Sequence, residues 1–374
     1  MKRIMMMMTL LVAAASFFSC EEKTENLGLD ADFYMTSDKD VIKSDGVDVA
    51  QLKVFLKGED VTTLVQFYDG DSNPISLVDG KFASSQVGTF KFWASYGTYS
   101  TYNREYEDNG LYTIKAVSQD VPAPVADPAT TKTNFVHRVL LTQYTGSGCG
   151  YCPYMIKIIK ELIQKGTITS KAVLAAAHSG YNTNDPAAIH VLKAANYPYL
   201  HVDLVNGFTH NSGTAVLESI IDYRLENQAK AGIAVNPILY AEENKLIVTV
   251  SVKAAEEATF NVGAWLLEDG IYAAQADNDN VGDDSYDTHN NCIRIVDSNY
   301  NGTYFGRLVG DLAQGQVAHK TFVMDLKSKW VKENLHLAVF VSSRPKESRR
   351  MTDYSVCNAV DCPITEATPF EYKN

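Results

Sequence analysis

The sequence predicts a multidomain chain with an N-terminal β-sandwich of immunoglobulin type, a central α/β domain and a C-terminal β-sandwich. Three observations predict it. Residues 30–118 carry short alternating runs, VAQLKVFLKG, TTLVQFYDG, GTFKFWASY and GLYTIKAV, separated by turn clusters such as DGDSNP and EDNG; this is the spacing of sandwich strands. Residues 135–231 alternate apolar runs with stretches of helical period, which is the pattern of an α/β layer. From residue 232 to the C-terminus the text is strand-like again, in NPILYAEE, KLIVTVSVKA, TFNVGAWLLED, NCIRIVD, VAHKTFVMDL and LHLAVFVSS.

The chain begins with Lys2 and Arg3, followed by an apolar run from Ile4 to Phe18 that ends at Ser19-Cys20. A basic start and a short apolar stretch make a signal peptide over residues 1–19, and the run is too short for a stable membrane span. The exit resembles a bacterial lipoprotein signal, in which cleavage leaves Cys20 to carry lipid. Phe17 stands where such signals usually carry Leu, and an ordinary secretory signal cut nearby is the alternative. Residues 20–29 read as a polar tether. Its Glu21, Glu22 and Glu25 resemble the export tag of surface-exposed lipoproteins in some Gram-negative anaerobes, and they equally suit solvation. Acyl chains would be the membrane attachment, and stable anchoring takes more than one. Among 374 residues the formal net charge is −12. That argues against a nucleic-acid partner, which needs concentrated Lys and Arg to neutralise phosphates.

Residues 119–134, rich in Pro, Ala and Thr and without helical period, read as a semi-rigid linker. The central domain then opens with an apolar strand, HRVLLTQY, over residues 137–144. Cys149 and Cys152 follow, and PYMIKIIKELIQKG puts Met155, Ile156, Ile159, Leu162 and Ile163 on one helical stripe with Gly166 as the stop. KAVLAAAH, residues 171–178, is a second buried strand. DPAAIHVLKAAN predicts a short helix starting near Asp185, and YLHVDLVNG, residues 199–207, a third strand. Val216, Leu217, Ile220, Ile221 and Leu225 mark a helix over residues 214–229. The C-terminal β-rich domain is taken as residues 232–374.

A strand, a turn carrying C-x-x-C and a helix that starts at the second cysteine form a unit with chemical consequences. Unpaired N–H groups and the dipole at the helix start favour a thiolate. Cys149, at the exposed edge of the turn, is the expected attacking thiol, and Cys152, deeper in the helix, the resolving one. Pro153 is compatible with the first helical turn. His178 ends its strand at the edge where active groups of parallel sheets gather. There it would stabilise the Cys149 thiolate or move protons, or else serve as a hydrogen-bonded structural histidine.

A metal site needs more ligands than one C-x-x-C supplies. Cys149, Cys152 and His178 form a conceivable Cu(I) set, but no metal or other cofactor is expected. The acidic loop ADNDNVGDD, residues 276–284, departs from a calcium loop at Val281 and Thr288 and reads as a solvated loop. The tyrosine-rich WASYGTYSTYNREYEDNGLY offers either a stacking face or ordinary strand packing.

VLLTQYTGSGCGYCP, residues 139–153, resembles the redox segment of the thioredoxin superfamily. The resemblance implies a thioredoxin-like fold for residues 135–231 and a cis-proline facing the cysteines, at Pro198 in NYPYLHVDLVNG. Two positions depart from it: Gln143 replaces the buried carboxylate common six residues before the first cysteine, and Gly148 replaces the usual Trp. Both put a thioredoxin-like reductase in doubt. A wider set, YTGSGCGYCP, AAAHS, YPYLHVDL, VGAWLLEDG, THNNCIRIV and YSVCNAV, is similar to the family named for a twenty-eight-kilodalton outer membrane protein of Gram-negative anaerobes. From about Phe135 onward that resemblance implies an outer-membrane lipoprotein of thioredoxin fold, and it names no substrate.

Two functions follow as expectations. One is thiol–disulfide exchange on an extracytoplasmic protein or peptide partner, with Cys149, Cys152, Pro198 and His178 as site residues. The other is a non-enzymatic surface-binding or adhesion module in which the C-x-x-C bond is inert. Cys292, Cys357 and Cys362 are left with their pairing open.

Overall fold

The computed structural model describes residues 33–102, 110–178, 184–189, 192, 194–297, 305–348, 350 and 353–373. The expected signal peptide, Cys20 and the tether lie outside these residues. The described chain is mostly β, built of several sheets with few helices.

Residues 33–117 form two sheets around one core. Alternation drives this: Ala50–Leu56 buries Ala50, Leu52 and Val54 and turns Lys53 to solvent, as the pleat requires. One sheet carries Phe33–Ser37, Ala50–Leu56, Glu59–Asp60 and Lys81–Phe82. The other carries Val41–Lys43 at one edge, then Tyr112–Val117, Gly88–Tyr96 and Gln66–Asp69. Phe33, Ile42, Leu52, Phe67, Phe92 and Ile114 fill the space between them.

The linker has no regular structure, but it is held. Lys253, only 1% exposed at its side chain, donates to the Asp127 carboxylate (2.7 Å) and to the carbonyls of Ala129 and Thr130 (3.0 and 2.9 Å). Asn236 Nδ2 donates to the Ala123 carbonyl at 2.7 Å. These acceptors satisfy the buried ammonium, so the linker is fixed along the sheet beneath it.

The rest of the chain is organised by one nine-stranded sheet. Its order is Asn206–Phe208, Tyr199–Val202, Val139–Thr145, Ala172–His178, Cys292–Asp297, Ala258–Glu268, Leu335–Arg344 and Ser355–Pro363, with Arg307–Leu312 also paired to Ala258–Glu268. Val139–Thr145 and Ala172–His178 run parallel, with Thr145 beside His178. Tyr199–Val202 is antiparallel on the other side, with Tyr144 beside Tyr199. A three-stranded sheet, Ala231–Tyr240, Lys245–Ala254 and Val317–Asp325, shares a core with the C-terminal part of the large sheet, through Val248, Val250, Phe260, Val262, Leu337 and Val339. The C-terminal half therefore packs two sheets on one core, and one of the two is the sheet of the central segment. The expected boundary at 231/232 does not separate two sheets, because Ala176 pairs in parallel with Cys292.

Helix α1 spans Cys152–Gln164, α2 spans Thr167–Lys171, and α3 spans Thr214–Leu225. Gly166, at φ 76°, ends α1 as the sequence predicts and opens α2, which it does not predict. The buried stripe of α1 is Met155, Ile158, Ile159 and Leu162. Ile163, expected inside, is 43% exposed, because one residue beyond Leu162 rotates about 100° away from the core. α3 buries Leu217 and Ile221 and leaves Val216 45% exposed. The helix expected from Asp185 is absent among the described residues there, since Asp185 is committed elsewhere.

Candidate functional site

Pleat alternation splits the Val139 strand between two cores. Val139 and Leu141 pack under the helices, while Leu140 and Tyr144 face the opposite side. The strand ends at Thr145, and a tight loop delivers the two cysteines. Cys149 N–H donates to the Gly146 carbonyl and Cys152 N–H to that of Cys149, each at 3.0 Å. Cys149 and Cys152 are joined by a disulfide. Cys152 opens α1 and is fully buried. Cys149 is only 6% exposed, whereas Tyr151 between them is 52% exposed. The attacking thiol expected at an exposed edge is thus covered.

Thr145 is flanked by the other two expected residues. His178 is its register partner on one side. On the other side, the Tyr144–Tyr199 pairing continued by one residue brings Pro198 level with it. The Tyr197–Pro198 peptide bond is cis. Gln143, on the helix side of the strand, is buried, and its Nε2 has no hydrogen-bond partner among the described residues, nor do Thr145 Oγ1 and Ser147 Oγ.

His178 is 1% exposed and addresses other groups than Cys149. Its Nδ1 is 2.9 Å from Asp185 Oδ2, and its Nε2 is 3.6 Å from Cys292 Sγ. Burial drives the Cys292 thiol far above its ordinary range. Kept as a thiol, Cys292 has two acceptors within reach, His178 Nε2 and the Asn290 carbonyl at 3.8 Å, and Asp185 Oδ2 faces both His178 Nδ1 and the Ser147 N–H. Burial opposes the Asp185 charge. The His178 hydrogen bond and the N–H groups of Ser147 and Ala187 outweigh it, holding the carboxyl well below the usual carboxylate range. His178 therefore reaches the cysteine loop indirectly, through Asp185 and the Ser147 N–H at 2.7 Å. With both ring nitrogens so engaged, a Cu(I) set of Cys149, Cys152 and His178 is not assembled.

A segment from the far half of the chain completes the site. Gln275 Nε2 donates to the Cys149 carbonyl at 3.0 Å, with Gly146 O and Ser147 O at 3.3 and 3.4 Å. Ala276 N–H donates to Ser147 O at 2.7 Å and Asn278 N–H to Gly150 O at 3.0 Å. Gly150 permits this approach, since a Cβ there would lie 2.2 Å from Asn278 Oδ1. The acidic loop read as solvated thus packs one edge on the cysteine loop. Asp185, Cys292, Gln275 and Asn278 are the site residues that sequence reasoning missed. Cys292, Cys357 and Cys362 are free and buried.

Residues 187–360 match the family model described as "Outer membrane protein Omp28". The match begins downstream of the cysteine pair and includes Pro198, the Gln275 segment and Cys292. A comparison with curated proteins finds no match. Among solved structures, HBP35 of Porphyromonas gingivalis is similar at 16% identity and a TM-score of 0.49, over 65% of this chain and 80% of that one. A protein from Agrobacterium tumefaciens is similar at 14% identity and a TM-score of 0.39, over 63% and 97%. A domain of the outer membrane lipoprotein Omp28 from Porphyromonas gingivalis is similar at 18% identity and a TM-score of 0.22, over 37% and 89%. The family description agrees with the outer-membrane lipoprotein that the resemblance of the sequence implies. Residues 187–360 of this chain are thus similar to the Omp28-related outer membrane proteins.

Proposed function

We propose that this is a lipid-anchored envelope protein, held by Cys20, that exchanges disulfides with an extracytoplasmic protein or peptide through Cys149 and Cys152. The observation that carries the reading is the pair itself, a disulfide in a tight loop whose second cysteine starts α1. Unpaired N–H groups at that helix start stabilise a thiolate released there. A central thioredoxin-like unit is supported by the parallel strands Val139–Thr145 and Ala172–His178, and by the antiparallel strand that follows the cis Tyr197–Pro198 bond. Pro198 then borders the partner's path beside Thr145. His178 is a positioning residue, acting on the loop through Asp185. An immunoglobulin-like reading of residues 33–117 is supported by its two sheets around one core, and it gives that unit the role of presenting or recruiting the partner.

In the exchange, the Cys149 thiolate attacks a partner disulfide, one S–S bond breaks as the mixed disulfide forms, and a partner thiolate leaves. Cys152, deprotonated, then attacks Cys149 Sγ, restores the internal disulfide and releases the second partner thiolate. Two electrons pass to the partner. The reverse sequence oxidises a partner dithiol.

Cys152→Ser removes the resolving step and is expected to accumulate mixed disulfides at Cys149 in cells, seen as higher-mass bands that collapse on reduction. A variant that traps no partner under oxidising growth contradicts exchange. The near burial of Cys149 favours a second reading, a surface-binding module with an inert bond, and the absence of trapped species would select it.

A further inference from the structure

Cys149 is 6% exposed although its loop leaves the C-terminal end of strand Val139–Thr145 and its neighbour Tyr151 is 52% exposed. What lies on the loop is the segment Gln275–Asp279. Two alternate residues of it, Ala276 and Asn278, donate their N–H groups to Ser147 O and Gly150 O. Alternate N–H groups of the segment thus face the loop, as alternate residues of an extended chain do, while their acceptors Ser147 and Gly150 stand three residues apart on the turn. The Gln275 side chain adds its amide to the Cys149 carbonyl.

The segment is held from outside as well. Tyr154 on α1 donates to Asp279 Oδ2 at 3.0 Å, and the Lys160 ammonium sits 4.2 Å from the Tyr286 ring centroid. Its own fold is local: Asp277 accepts from Gly282 N–H at 2.7 Å, and Gln275 N–H donates to Asp287 Oδ1 at 2.8 Å. Gln275, Ala276, Asp277, Asn278 and Asp279 bring no large apolar side chain to the loop. The grip is therefore made of hydrogen bonds that another backbone can replace.

We propose that Gln275–Asp279 is a built-in strap lying on the line an extended polypeptide partner would take, and that exchange requires its displacement. This rests on the exchange reading above, and it adds the form of the partner and a device that keeps the oxidised pair closed until that partner arrives. With the strap lifted, a partner thiolate attacks Cys149 Sγ, the Cys149–Cys152 bond breaks, and Cys152 leaves as a thiolate that then takes a proton. A second partner thiolate attacks its own sulfur in the mixed disulfide, forming the partner's disulfide and releasing Cys149. The cysteine pair gains two electrons and the partner loses two.

The test is the rate at which the disulfide of the full chain is reduced by dithiothreitol and by an unstructured peptide carrying two thiols. Gln275→Ala is expected to accelerate both by about tenfold, the change that a loss of about 1.4 kcal/mol in strap closure gives. Tyr154→Phe, a milder change on the exposed side of α1, is expected to accelerate both by a smaller factor and serves if Gln275→Ala does not fold. Unchanged rates in the folded variants overturn the strap. Acceleration for dithiothreitol alone overturns the polypeptide line. A strap variant that opens fast, combined with a Cys152→Ser chain that traps nothing, leaves the strap standing and removes the exchange reading.

Discussion

A carboxylate that is 7% exposed keeps its charge only where donors surround it. Asp185 has three of them, His178 Nδ1 and the N–H groups of Ser147 and Ala187. Asp185→Ala leaves all three without their acceptor. It is expected to cost about 3–5 kcal/mol, since each buried donor left without an acceptor costs about 1–3 kcal/mol, read as a fall in the urea midpoint. Asp185→Asn, which keeps an acceptor, is expected to cost about 1–3 kcal/mol. Because the Asp185 carboxyl is held below its ordinary range, its contribution is fully present above that range and is lost as pH falls from it through the depressed folded value. At this scale the cysteines were legible, because two residues between thiols at a strand–helix junction have few uses. Asp185 was visible only as a helix start, since an Asp before Pro and Ala reads the same whether it caps a helix or ties a loop to a histidine. Gln275 gave no signal at all. Its acceptors lie more than a hundred residues earlier, and an isolated glutamine has no local pattern.

Elements were legible where period and packing agree. Met155, Ile159 and Leu162 fixed α1, while Ile163 was assigned to the core by hydrophobicity and left it by angle. The strands of the C-terminal half were readable as strands, but their partners were not. His336 shows what joins them. On strand Leu335–Arg344, its Nδ1 lies 2.7 Å from Asp361 Oδ1 on the adjoining strand Ser355–Pro363, and its Nε2 lies 3.5 Å from Asp269 Oδ1 after strand Ala258–Glu268. Burial opposes the imidazolium, but the two carboxylates outweigh it and raise its pKa from 6.5 to about 9. A folded value raised above the unfolded one means stability that is full below about pH 6.5 and is lost as pH rises through about 9. The contribution is about 3 kcal/mol at most. His336→Gln should therefore lower the urea midpoint clearly at about pH 6 and much less at about pH 10. A difference independent of pH would contradict the clamp.

For the whole molecule, the division into β-rich, α/β and β-rich thirds follows the order of elements, but not how they pair. The sheet that carries the cysteine loop continues through the Ala176–Cys292 pairing into the C-terminal half. A parallel pairing across that separation leaves no trace in hydrophobic period: Ala172–His178 is buried on both faces, while Cys292–Asp297 is buried only over its first two residues, and neither pattern names the neighbouring strand. The continuity matters for the site. It places Cys292 against His178 and brings the Gln275 segment onto the loop of Cys149, so the pair is built by both halves of the chain. The linker is likewise fixed by Lys253 rather than free, which ties residues 33–117 to the same body.

The central claim is that the Cys149–Cys152 bond is an exchange couple, and its reduction potential tests that most directly. The full chain is equilibrated with dithiothreitol mixtures, and the fraction oxidised is read on the peptide that contains both cysteines. Cys357 and Cys362 are buried thiols pushed up to about 12, and the Cys292 thiol is raised further still, so none competes at neutral pH. A potential between about −120 and −270 mV is the predicted result. A value below about −300 mV marks a structural bond and contradicts the account.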